Sequence, residues 1–107
     1  MTYDETLRLL DSWYGRPVLV SVQPDGSRWY TTTVTGPLPR RSDIDLEWLA
    51  DDLPYASEGY SFGFADGDVR FQLVRLDFRD ASLDDRGVLT IRLAGAEVTI
   101  SRARRRP

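Results

Sequence analysis

Alternating apolar and polar positions make residues 15–36 the clearest pattern in the chain. Valine occupies every second position from Val18 to Val22, which is the period-2 spacing of a strand with one buried face. Residues 24–27 contain an Asp-Gly pair, which tolerates the positive φ of a tight hairpin turn. Residues 29–35 are then almost wholly aromatic or β-branched. The pattern predicts a β-hairpin beside which the later strands must find a place.

The residues before this hairpin have apolar side chains at helical spacing. Thr2 is placed to cap the helix, with Glu5 as its capping-box partner three residues later. Gly15 suits the C′ position that ends a helix, and Pro17 prevents the helix from resuming. We therefore predict an amphipathic helix of about three turns. Its buried stripe is expected to consist of Tyr3, Leu7, Leu10 and Tyr14, widened by Leu9 and Trp13.

Residues 42–53 return to helical spacing, and we predict a short helical insertion there. Ser42 is a candidate cap, with Asp45 in the third position. One apolar stripe consists of Leu46, Leu49, Ala50 and Leu53. Ile44 and Trp48 project from nearly the opposite side. Trp48 either folds back onto the domain or is offered to a partner, since Trp is enriched in interface hot spots.

The rest of the chain reads as strands separated by turns. In the segment 69–79 the apolar face changes phase near Leu73 and Val74, which predicts a bulge that bends the strand. A bent strand among short antiparallel neighbours favours a small barrel. The predicted strands after the hairpin are residues 60–64, 69–79, 88–93 and 97–101, with a loop at 80–87.

The fold that follows is mainly β, of the α+β class. It has an N-terminal helix and then a five- to six-stranded antiparallel small barrel, connected as a meander. Residues 1–101 are assigned to this single domain. Residues 102–107 are assigned to an Arg-rich flexible tail.

Two segments resemble the conserved blocks of the Sm-like proteins, a family of small β-barrels. The first block is matched by Leu10, Gly15, Arg16, Val18, Val20, Val22, Gly26, Tyr30 and Gly36. The second is matched by Gly87, Val88, Ile91, Arg92, Val98 and Ile100. The resemblance implies a helix followed by a small barrel. The family's RNA-contact pattern after the second strand is replaced here by residues 37–41, so Arg92 is the one RNA contact that carries over.

Composition narrows the possible chemistry. The chain has neither His nor Cys, which excludes His-based acid–base catalysis, Cys nucleophiles and the usual zinc, copper and haem ligand sets. Several carboxylates fall in predicted turns without the spacing of a calcium loop, and we expect them to bond their own backbone. These turn carboxylates are Asp66, Asp68, Asp80, Asp84 and Asp85. We predict no catalytic residues, no cofactor and no metal.

The charge is distributed unevenly. All fourteen basic residues are Arg, and the formal net charge is −3. Ten of these Arg and all seventeen acids lie in residues 1–101, so that part carries −7 and the tail +4. An acidic body makes nucleic acid an improbable partner, because phosphate binding is mostly electrostatic. The chain starts without a signal-peptide pattern and has no membrane-length apolar run, so we expect a cytoplasmic protein without a membrane partner.

The leading functional hypothesis is a non-enzymatic protein-interaction or self-assembly module. It would bind a protein partner or form a homo-oligomer, with contacts at Ile44, Trp48, Tyr55 and Tyr60. Two alternatives stay open. One is Sm-like binding of RNA or single strands through Arg40, Arg41, Arg92, Arg104, Arg105 and Arg106. The other is a small acidic immunity or antitoxin protein that neutralises a basic enzyme.

Overall fold

The computed structural model describes residues 1–24, 32–43, 59–64 and 70–102, and it places one helix before a series of strands. The N-terminal helix and the mainly β character are as predicted. The helix is α1 (Tyr3–Ser12), and a 3-10 turn occupies Arg75–Asp77. The strands are β1 (Pro17–Pro24), β2 (Thr32–Pro37), β3 (Ser42–Asp43), β4 (Gly59–Gly63), β5 (Arg70–Val74), β6 (Phe78–Leu83), β7 (Leu89–Leu93) and β8 (Ala96–Arg102).

The start of α1 has the predicted capping box. The backbone N–H of Glu5 donates to Thr2 Oγ1 at 3.1 Å, and the Thr2 N–H donates to Glu5 Oε1 at 2.9 Å. The end of the helix differs from the prediction, because the cap is Trp13 and Gly15 takes its positive φ of 80° two residues later. Tyr14 therefore no longer follows the helical repeat, and it is 53% exposed while Trp13 is buried. The predicted stripe is correct for Tyr3, Leu7 and Leu10 and wrong for Tyr14.

The capping box should make stability depend on acidity. Hydrogen bonding by the Thr2 backbone, and then by its side chain, holds the pKa of Glu5 below its ordinary value of 4.5. A carboxyl whose pKa is lower in the folded state stabilises the protein above the unfolded pKa, and this stabilisation is lost as pH falls through the folded pKa. Thermal melts from pH 7 to pH 3 should therefore show wild type and Glu5→Gln converging below about pH 4.5. A constant gap between the two proteins would contradict this expectation.

The larger sheet has five antiparallel strands in the order β2-β1-β8-β7-β6. Strand β8 pairs with β1 as well as with β7, and every other described ladder joins strands that follow each other in the chain, as in the predicted meander. Val18 and Val20 of β1 are fully buried, as their alternation predicted. The position of β8 depends on contacts between distant parts of the chain, because local alternation carries no information about which strand pairs with which.

The smaller sheet has the order β3-β4-β5. The chain passes between the sheets twice, from β2 to β3 and from β5 to β6. Within the described ranges no ladder joins one sheet to the other, so the strands do not close a barrel. The predicted bulge at Leu73 and Val74 is wrong. The apolar face changes phase there because the 3-10 turn at Arg75–Asp77 breaks the strand and transfers the chain to the other sheet.

Three predicted boundaries also change. The insertion does not begin as a helix at Ser42, because the ladder to β4 pairs Ser42 with Ser61 and so commits its backbone to a sheet. The remainder of 42–53 lies outside the described residues. The loop predicted at 80–87 begins only after Leu83, where β6 ends. Strand β8 includes Arg102, which faces Val18, and the rest of the tail lies outside the described residues.

The buried side chains of α1 and of both sheets form one hydrophobic cluster. The Tyr3 hydroxyl donates to the Leu73 carbonyl of β5 at 2.7 Å, which joins the helix to the smaller sheet. Phe62 of β4 and Phe71 of β5 are stacked, with ring centroids 4.7 Å apart. Within the described ranges no helix has the length and apolar character needed to cross a membrane.

Candidate interaction groove

The two edges of the five-stranded sheet differ in how they are covered. At the β6 edge, the Met1 ammonium group donates a hydrogen bond to the Ala81 carbonyl at 2.9 Å. Helix α1 also packs beside this strand, and Arg79 and Asp80 place charge on it. At the other edge, β2 pairs with β1 and with no further strand of the described chain. The β2 edge is therefore the one at which the described residues leave backbone groups available.

The register shows which backbone groups of β2 face outward. The Leu38 N–H donates to the Arg16 carbonyl at 2.9 Å, and in an antiparallel ladder the bonded positions recur at every second residue. The next facing pair of the ladder is Pro17 and Pro37, which have no N–H to donate. By this alternation the N–H and C=O of Thr33 and Thr35 point away from β1. They form a short row of donors and acceptors along the edge.

An apolar groove adjoins the end of this row. It has a volume of about 340 Å³. Leu38 and Phe64 are buried beneath it, and Val34 is half-buried. We call it the β2 groove, and its lining residues are Tyr14, Gly15, Val34, Thr35, Gly36, Pro37, Leu38, Pro39, Arg40, Gly63 and Phe64.

Two local features shape the β2 groove. The Gly15 N–H donates to the Leu38 carbonyl at 2.9 Å, which ties the segment after β2 to the end of the helix. The positive φ of Gly15 lets the chain turn there at little steric cost. Gly36 adds no side chain to the groove, and a Cβ there would meet Phe64 Cδ1 at 3.7 Å, an ordinary contact. The groove thus depends on the backbone turn at Gly15 and on the missing side chain at Gly36.

Two consecutive arginines at the rim have different surroundings. Arg41 Nη2 lies 3.1 Å from Asp11 Oδ2, and its guanidinium lies 4.3 Å from the centroid of the Tyr60 ring. Arg40 lies 4.9 Å from the centroid of the Tyr14 ring, and no described carboxylate forms an ion pair with it. A second hollow, of about 370 Å³, continues the β2 groove past both arginines. Of these two described arginines, Arg41 is paired with Asp11, and Arg40 is the one without a described carboxylate partner.

The residues predicted for partner binding are only partly described. Tyr60 is half-buried in β4 and contacts Arg41. Ile44, Trp48 and Tyr55 lie outside the described residues. The structure thus joins one residue predicted for a protein partner with one predicted for nucleic acid.

The arginines predicted for nucleic acid do not share one surface. Arg92 forms an ion pair with Asp80 at 3.3 Å. Across the ladder Arg92 lies level with Gln23 of β1, whereas Arg40 follows the end of β2 that faces Pro17. Those two positions of β1 are six residues apart, which is about 20 Å of strand. The other members of that set, Arg104, Arg105 and Arg106, lie outside the described residues.

Of the residues that line the β2 groove, Arg40 is the one among the predicted binding residues. Tyr14 is predicted for the buried stripe of the helix, and residues 37–39 enter the prediction only as part of the segment that replaces the family's RNA-contact pattern. The available signal was the Pro-Leu-Pro run, which places an apolar side chain between two residues that cannot donate backbone hydrogen bonds. The position of residues 37–39 beside Phe64 depends on contacts between distant parts of the chain.

The described acidic groups do not assemble into a metal centre. Asp84 Oδ1 accepts hydrogen bonds from the backbone N–H groups of Arg86 and Val88, both at 2.9 Å. This carboxylate therefore bonds its own loop, as predicted. Within the described ranges no three carboxylates converge closely enough to hold a metal ion.

Comparisons with protein-family models, curated proteins and solved structures give no match to this chain. The geometry of the molecule is therefore the basis for a functional proposal. Two features of the described residues are open to a binding partner, namely the outer edge of β2 and the groove beside it.

Proposed function

We propose that this chain is a non-enzymatic protein-interaction module that takes up an extended segment of a partner protein along β2. The observation that carries the proposal is the outward row of backbone groups at Thr33 and Thr35, next to an apolar groove. Backbone hydrogen bonds from an added strand supply affinity, and pockets for its side chains supply specificity. The covered β6 edge supports the choice of β2, because the Ala81 carbonyl is already bonded by the N-terminus.

A small barrel of Sm-like type remains our proposal for the complete fold. The two passages between the sheets, at β2–β3 and β5–β6, support it, since strands that switch sheets form the corners of barrel-like folds. Sm-like nucleic-acid binding gains less support. Arg41 is paired with Asp11, and Arg92 lies at the other end of the sheet from Arg40. The immunity-protein alternative depends on the acidic charge of the whole chain and stays a prediction.

Thr35→Pro tests strand addition directly. Proline removes the outward N–H of residue 35 and keeps the ladder to β1, and edge strands tolerate proline where the N–H faces away from the sheet. The probe is a set of twelve-residue peptides selected against the wild-type protein from a random display library. We expect Thr35→Pro to weaken their binding by about tenfold, the worth of one or two backbone hydrogen bonds. Thr35→Ala, which keeps the N–H, should bind within about twofold of wild type.

Amide hydrogen exchange gives a second measurement that needs no variant. In the free wild-type protein the Thr33 and Thr35 amides should exchange faster than the Val34 amide, and bound peptide should slow them. Equal binding by Thr35→Pro and Thr35→Ala, or no protection of these amides by a bound peptide, would overturn the proposal. Sedimentation at increasing concentration covers self-association. A dimer that Thr35→Pro dissociates would replace the foreign partner by a second copy.

A further inference from the structure

We infer that the β2 groove selects partner segments in which a carboxylate side chain lies two residues before a large apolar side chain. This inference rests on the proposed strand addition at β2 and assigns the chemistry of the segment. The apolar residue would occupy the groove, and the carboxylate would bind Arg40.

The apolar preference follows from the lining. The side chains that form the groove are Val34, Pro37, Leu38, Pro39, Phe64 and the ring of Tyr14. Transfer of an apolar side chain from water into such a site is favourable in proportion to the apolar surface that it buries. A side chain the size of Phe or Leu suits a volume of about 340 Å³, which also admits part of the neighbouring backbone.

The carboxylate preference follows from Arg40. Its guanidinium carbon lies over the Tyr14 ring, 4.9 Å from the centroid, and no described carboxylate pairs with it, so its N–H donors can serve a planar acceptor. The neighbouring cation of Arg41 is already paired with Asp11. The chain as a whole is acidic, with a formal charge of −3, so a carboxylate is disfavoured over most of the surface. Screening limits that repulsion to roughly 8 Å at physiological salt, and a direct contact with Arg40 is local enough to dominate.

The order of the two side chains follows from the direction of β2. This strand runs along the groove, and Arg40 lines the end of the groove that follows Pro39. A strand added antiparallel to β2 therefore meets Arg40 first, then the apolar lining beside Pro37 and Thr35, and then Thr33. Its carboxylate must precede its apolar residue by two positions, because adjacent side chains of a strand point to opposite faces. Antiparallel pairing is the arrangement of every ladder described in this molecule.

The test uses three acetylated, amidated hexapeptides of the sequence X-Thr-Phe-Thr-Val-Thr, in which X is Glu, Gln or Lys. Binding to the full chain is measured by isothermal titration calorimetry at 50 mM and 300 mM salt. We expect the Glu peptide to bind about fivefold more tightly than the Gln peptide at low salt, typical of a partly exposed charged contact. The Lys peptide should bind more weakly than either. In Arg40→Gln the Glu and Gln peptides should bind equally, whereas Arg92→Gln, at the far end of the sheet, should keep the preference.

The outcomes separate this inference from the proposed function. Equal binding of all three peptides, with loss of binding in Thr35→Pro, would overturn the selection by Arg40 and leave strand addition standing. Failure of all three peptides, together with failure of the library-selected peptides, would overturn both. A Glu preference that survives Arg40→Gln would also overturn the assignment to Arg40. Arg40 is an exposed surface residue, so its substitution is expected to leave the fold intact.

Discussion

Replacing Phe62 with alanine is expected to lower the free energy of unfolding by about 3–5 kcal/mol. The Phe62 side chain is only 1% exposed and belongs to the central cluster. Its ring is stacked on Phe71 with an interplanar angle of 4°, and an aromatic pair of this kind adds about 0.5–1.5 kcal/mol beyond the burial of its surface. Removal of the ring leaves a cavity in this cluster. Urea denaturation followed by Trp fluorescence measures the change.

The size of this effect matters because domains of this class are stable by only about 5–15 kcal/mol. Phe62→Ala could therefore leave a substantial unfolded fraction at 37 °C. Phe62→Leu is the matched control, since it keeps most of the volume and should cost less than half as much. A loss below about 1 kcal/mol in Phe62→Ala would show that β4 and β5 do not pack on the core as described. The groove would then lose its support at Phe64.

Replacing Tyr3 with alanine should have a comparable effect, about 3–5 kcal/mol. The Tyr3 ring is 4% exposed and meets Phe78 edge-to-face, with ring centroids 5.5 Å apart. Arg75 lies over the same ring at 4.6 Å and also forms an ion pair with Asp4 at 2.7 Å. The Arg75 side chain therefore joins the start of the helix to the segment where the chain changes sheets.

Tyr3→Phe separates the hydroxyl from the ring. It removes the buried donor to the Leu73 carbonyl and should cost about 1–2 kcal/mol, the usual penalty for a buried acceptor left without its partner. Tyr14→Ala is the control on the same segment. That side chain is 53% exposed, so its loss should change stability by no more than about 0.5 kcal/mol. If Tyr3→Ala and Tyr14→Ala were equally mild, the helix would not be anchored through Tyr3.

Local chemistry made several features of this protein predictable. The capping box of α1 was predictable because it needs only Thr2 and Glu5 three residues apart. The burial of Val18 and Val20 followed from strict alternation. The loop carboxylate of Asp84 bonds backbone groups two and four residues away. Each of these depends on neighbours within a few positions, where the sequence itself fixes the distance.

Features that join distant segments were not predictable in this way. The phase change before Arg75–Asp77 predicts a bulge in one strand, because a bulge and a switch between sheets produce the same change in the alternation. The position of β8 between β1 and β7 cannot be read from the alternation, because strand order is decided by packing of the whole core. The helical repeat predicts a buried Tyr14, because the repeat does not show where the helix ends.

Local patterns in the sequence are sufficient to predict a mainly β chain with one capped N-terminal helix, and the composition lacks the His and Cys on which many enzymes depend. The β2 groove, in contrast, exists only in the folded chain. Tyr14, Leu38, Phe64 and Arg40 form one groove only after the helix end, the β2–β3 segment and β4 have come together. The physical reason is that burial depends on surface area removed in three dimensions, and the contacts that remove it span tens of residues of chain.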